Sequence, residues 1–85
     1  MVYEMWNPYF PQNIFVFQKI ERPGSPVFGK AVFLEMNPNN RIEVIGIDIE
    51  ERMSMPLDKI IERSNPASES RKNIFRGLFR EDFND

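Results

Sequence analysis

Two sets of side chains in this sequence have the types and spacing to do chemistry, and in both cases the chemistry would be recognition. The first is aromatic. Tyr3, Trp6, Tyr9 and Phe10 fall within a few positions of one another beside Pro8 and Pro11, and Trp and Tyr are the residues that concentrate at interface hot spots. They suit a partner-binding arm, or alternatively rings that cap the core of a small domain. The second set is basic. Lys72, Arg76 and Arg80 recur every four residues with Arg71 adjacent, which puts a cationic stripe along one side of a helix. Phosphate or an acidic protein surface would be its ligand. The alternative is a solvated rim whose Arg stems lie along an apolar stripe. That stripe is Phe75, Phe79 and Phe83 at the same spacing, with Ile74 and Leu78 beside it, and Phe75 and Phe79 are its candidate partner-binding residues.

Catalysis has little to draw on. The chain has neither His nor Cys, so the commonest general base, metal ligand and thiolate nucleophile are all missing. Glu50-Glu51 and Glu81-Asp82 are adjacent pairs, which diverge on a strand or a helix. Asp48 and Glu50 would share one strand face, where two carboxylates are ordinarily just solvated. No phosphate-binding glycine loop, dinucleotide turn or calcium loop is present. The expectation is a protein that is not an enzyme and takes no cofactor and no metal.

The bulk properties agree with binding. Eighty-five residues with 41% apolar content and eight Phe suit a single small folded domain, with residues 1–12 as an extended aromatic N-terminal arm. Stability is small at this size, so burial in a homodimer is a natural supplement. Absence of Cys fits a reducing compartment, and no apolar run approaches membrane-span length. Without a basic, apolar start typical of a signal peptide, the sequence reads as cytoplasmic. The net charge of −2 offers no global attraction for nucleic acid. Charge is uneven, however: residues 1–51 carry four basic and seven acidic side chains, residues 52–85 seven and six.

Positioning of these groups falls to a hairpin. Ala31, Phe33 and Glu35 alternate with Val32, Leu34 and Met36 in a run rich in β-branched and aromatic residues, Asn37-Pro38-Asn39-Asn40 breaks it, and Ile42 and Val44 then alternate with Arg41 and Glu43, the pattern of strand, turn and strand. Regular alternation fails at Val44-Ile45, which predicts a bulge there or cover on both faces. Residues 13–20 predict an earlier strand closed by Arg22-Pro23-Gly24-Ser25-Pro26. Ser54 as N-cap and Pro56 in the first turn predict a helix over 56–63, and Asn65 and Pro66 begin a second over 66–81. The expected fold is α+β: a small three-stranded antiparallel sheet (13–20, 30–36, 41–50) followed by two C-terminal helices packed on one face.

Three stretches resemble parts of known nucleic-acid-binding families. Residues 52–83, with R-M-S-M-P before a helix and S-R-K-N-I-F-R-G-L-F-R-E-D-F after it, resemble a ribbon-helix-helix DNA-binding unit. That likeness implies base reading by Arg52 and Ser54 and phosphate contact by Ser70 and Arg71, although Pro66 interrupts and the first helix is about a turn short. Residues 45–63 resemble the end of the carbon-storage-regulator family of RNA-binding dimers, with Ile49-Glu50 in place of its Ala-Pro and Leu57 where its RNA-contacting Arg stands. S-R-K-N-I-F-R-G-L-F-R-E-D resembles the second half of an Sm protein, without the first Sm motif. Each likeness covers a fraction of the chain and loses its family's functional residues, so membership of none is assigned.

The functional expectation is a small non-enzymatic protein-binding module, such as an inhibitor, adaptor or regulatory subunit, acting through the aromatic arm and the amphipathic C-terminal helix. The alternative is a small nucleic-acid-binding regulator using Arg52, Arg71, Lys72, Arg76 and Arg80.

Overall fold

The structure is a computed structural model and describes residues 1–7, 9, 11–80 and 83. Five strands and three helices follow in the order β1 (Tyr3–Trp6), β2 (Ile14–Lys19), β3 (Ala31–Met36), β4 (Ile42–Gly46), α1 (Ile49–Met53), α2 (Leu57–Glu62), β5 (Asn65–Pro66) and α3 (Glu69–Leu78). The strands form one antiparallel sheet in the order β4-β3-β2-β1-β5. This corrects the expected three-stranded sheet with two helices on one face: there are two more strands, one more helix, and helices on both faces.

The reason lies in β2 and β3. Ile14 to Phe17 and all of Ala31 to Met36 are buried, so each strand presents apolar residues to both sides and both sides need cover. On one face Ile14, Val16, Val32, Leu34 and Met36 pack with Val2 under Phe75 and Phe79 of α3. On the other, Phe15, Phe17, Ala31 and Phe33 pack with Met5 under Ile49 of α1 and Leu57 and Ile60 of α2. The sheet is the middle of three layers.

The additional elements follow from local chemistry. Residues 1–12 were expected as an extended arm; Tyr3–Trp6 is instead an interior strand of the sheet, between β2 and the short β5. Asn65 and Pro66 do not begin a helix: they pair with Glu4 and Tyr3, and α3 starts at Glu69 after Ser68. The expected third strand over 41–50 stops at Gly46 because Asp48 caps α1, its carboxylate accepting from the Glu51 amide at 3.3 Å. Ser54, expected as an N-cap, ends α1 instead with φ 53°. Helix α2 is then started by the Glu50 carboxylate, which accepts from the Leu57 amide at 3.0 Å.

The hairpin turn falls where expected. Asn37 Oδ1 accepts from the amides of Asn39 and Arg41 at 2.9 and 3.0 Å, and Asn40 takes φ 62°, a conformation Asn tolerates. The bulge lies one position earlier than expected. Met36 faces Ile42 and Glu35 faces Val44, leaving Glu43 as the extra residue. Val44 and Gly46 therefore share the α1–α2 side with Phe33, while Ile42 and Ile45 share the α3 side with Leu34. At Gly46 a Cβ would run into the Phe33 ring, so the close approach of strand and ring requires glycine.

Candidate functional site

On the α1–α2 side, where the sheet passes out from under its helices, lies a groove of about 460 Å³. Met5, Phe15 and Glu35 come from strands, Trp6, Asn7, Tyr9 and Pro11 from the end of β1 and the link to β2, and Arg52, Met53, Met55 and Arg63 from the helices and their connection. The link is held by its own polar groups. The Asn7 amide donates to the Asn13 carbonyl at 2.9 Å, the Asn13 amide to the Pro11 carbonyl at 2.8 Å, and the Tyr9 amide to Asn7 Oδ1 at 3.0 Å. Trp6 and Tyr9 are left 51% and 77% exposed.

The polar centre is Glu35, 2% exposed. One of its oxygens accepts from Arg52 Nε at 2.8 Å, the other from Asn13 Nδ2 at 2.7 Å. Asn13 Nδ2 also reaches Glu43 Oε1 at 2.7 Å, so the bulged residue turns back toward the same network. Burial by itself pushes the Glu35 carboxyl up; the hydrogen bonds from Arg52 and Asn13 and the guanidinium charge outweigh it and hold the group below the ordinary carboxylate range. Arg52 is correspondingly held further toward its charged form, first by its hydrogen bond to Glu35. Among the described residues no carboxylate pairs with Arg63, which is exposed at the other side of the groove. Two cations thus face one buried anion in a setting of methionines and aromatic rings. Such a setting can hold an apolar side chain with a carboxylate beside it.

The candidate residues read from sequence separate into several places. Trp6, Tyr9 and Arg52 meet at the groove. Tyr3 stacks on Phe17 with ring centroids 5.5 Å apart. Phe10 lies outside the described residues, as do Glu81 and Asp82. Phe75 and Phe79 lie in the core under α3, ring centroids 4.8 Å apart, so that helix turns its Phe stripe inward and offers neither ring to a partner. The basic stripe is divided. Arg71 pairs with Glu4 at 2.9 Å and Lys72 with Glu69 at 2.9 Å. Arg76 and Arg80 border a shallow recess with Gln18 and Phe83, and Arg52 stands on the opposite face. Asp48 and Glu50, both engaged in capping, do not come together as a site.

Sequence reasoning passed over Glu35, Asn13, Met53, Met55 and Arg63 as site residues. Glu35 carried a signal: a lone acid in the apolar run AVFLEM must be exposed or paired. The others carried none.

No family model matches the chain, and no match was found among curated proteins or solved structures. The segments likened to nucleic-acid-binding families adopt other structures: Arg52 and Ser54 belong to a helix and its cap rather than a strand, residues 45–63 run strand, helix, helix, and residues 70–78 are helical. Among the described residues, no helix is long and apolar enough to cross a membrane, and no three carboxylates gather to hold a metal.

Proposed function

We propose that this domain is a non-enzymatic protein-binding module whose groove takes a short apolar peptide segment flanked by an acidic residue. The observation that supports it is the groove's composition: methionine and aromatic walls, with Arg52 and Arg63 against the single buried Glu35. Methionines adapt to varied apolar side chains, exposed Trp and Tyr supply rigid contact area, and the surplus cation selects an acid over a base next to the anchor. Arg52, held by Glu35, enters the interaction already oriented.

Trp6 is the only tryptophan, so its emission reports the groove directly. Peptides selected from a displayed random library on the wild-type domain should carry an aromatic or aliphatic anchor beside Asp or Glu, and should shift Trp6 emission to the blue in a saturable manner. Arg63→Glu should weaken them at least about tenfold. Failure of every selected peptide to move the emission, or unchanged affinity in Arg63→Glu, overturns the reading. Labelled RNA or DNA that binds at low salt and is released by Arg76→Glu with Arg80→Glu would replace it with the nucleic-acid alternative.

A further inference from the structure

A different face of the molecule carries an unpartnered row. On the α3 side of β4, Ile45 is 55% exposed and Ile42 is exposed beside it, and Ile47, in the bend just past the strand, is 53% exposed. Leu78 of α3 is exposed too. Arg76 borders the recess with Phe83, and Phe83 borders Met1 and Tyr3 on the β1 side.

β4 is also a sheet edge, guarded by its bulge at Glu43 alone. Edge strands are blunted by charge, proline or cover. Here the only acid between Ile42 and Ile47 is Glu43, which is drawn back to Asn13. The opposite edge is closed by the two-residue β5, which contains Pro66 and so lacks one amide donor.

We infer that β4 pairs antiparallel with β4 of a second copy about a two-fold axis at Ile45, joining two sheets into one. The bulge decides the register. With Glu43 set aside as the extra residue, Ile42 lies two ladder positions before Ile45, and Ile47, in the bend just past the end of β4, follows two residues after it. A two-fold rotation therefore sets Ile45 against Ile45 on the α3 side, Val44 against Gly46, and Ile42 beside Ile47. The strand is complementary to itself in shape and face, which is what an isologous contact demands. Because the other edge is closed, association stops at two.

The chain contains no cysteine, so single cysteines report the register cleanly. By sedimentation the wild-type protein should reach twice 10.1 kDa. Ile45→Cys should cross-link to its own copy under mild oxidation, because facing residues in such a pair have Cα atoms about 4.5–5.5 Å apart, within disulfide reach. Ile42→Cys should not, its own copy lying four ladder positions away, about 13 Å. The double variant Ile42→Cys, Ile47→Cys should cross-link. Ile45→Lys, at an exposed position, should keep the circular dichroism of the fold and raise the dimer Kd by more than about a hundredfold. A wild-type monomer at all concentrations, a dimer undisturbed by Ile45→Lys, or equal cross-linking at positions 42 and 45 overturns the inference.

Discussion

At the scale of single residues, Glu35 is where fold and groove meet. Its carboxyl is held below the ordinary value of 4.5 although burial pushes the other way. A depressed folded pKa means that the unfolded chain takes up protons first as pH falls. The stability Glu35 contributes is therefore present above its unfolded pKa and is lost as the pH drops through the folded value. Glu35→Gln should flatten the acid limb of the stability curve below about pH 4.5, as measured by urea melts at stepped pH. Arg52→Gln tests the cause. Without the guanidinium, burial has less opposing it, so the Glu35 carboxyl should titrate at higher pH in carbon-detected NMR, and neutral-pH stability should fall by about 1–3 kcal/mol. An unshifted Glu35 titration in Arg52→Gln would assign the depression to Asn13 alone. The Arg63 and Trp6 experiments on the groove belong to this scale as well.

At the scale of elements, the closing contact is the clasp between β1 and the start of α3. Glu4 accepts from the Ser68 amide at 2.6 Å through one oxygen and from Arg71 Nη1 at 2.9 Å through the other. Arg71 Nε also donates to Asn40 Oδ1 of the hairpin turn at 3.2 Å. The clasp ties three segments far apart in sequence, and a carboxylate that supports a helix start is well placed there. Glu4→Ala should cost about 1–3 kcal/mol and should raise amide exchange in residues 65–72 well above that of β3. Equal change in both regions would mean that α3 opens only with the whole domain. The same clasp explains why Arg71 adds little to any basic surface.

At the scale of the molecule, two cores lie back to back on one sheet, and β2 and β3 belong to both. Phe17 and Phe75, each fully buried, sit in opposite cores. Phe17→Ala and Phe75→Ala should each cost about 3–5 kcal/mol, close to the whole stability of a domain of this size. Because the sheet is shared, far-ultraviolet and Trp6 signals should lose structure at the same denaturant concentration in both variants. Loss of α3 alone in Phe75→Ala, with the Trp6 transition unmoved, would show that the α3 layer is a separate unit.

What the sequence determined by itself is what depends on near neighbours. The hairpin turn is legible because Asn37 side-chain bonds and a left-handed Asn40 are local matters. The strands around it are legible from β-branched and aromatic runs broken by the Asn/Pro cluster, and α2 from Leu57 and Ile60 at helical spacing. That β2 and β3 are apolar on both sides was also written in IFVF and AVFL. Which elements cover those sides was not, because pairing of β1 with β5 joins residues some sixty positions apart and no local period records it. Asn65-Pro66 is as good a helix start as an edge bridge until β1 is beside it. The basic stripe likewise was visible, but the pairing of the adjacent Arg71 with Glu4 depended on where β1 ran. Glu35 was visible as an odd acid in an apolar strand, and only the tertiary structure decided, by bringing Arg52 and Asn13 to it, that it would be a buried and paired anion at the centre of a groove.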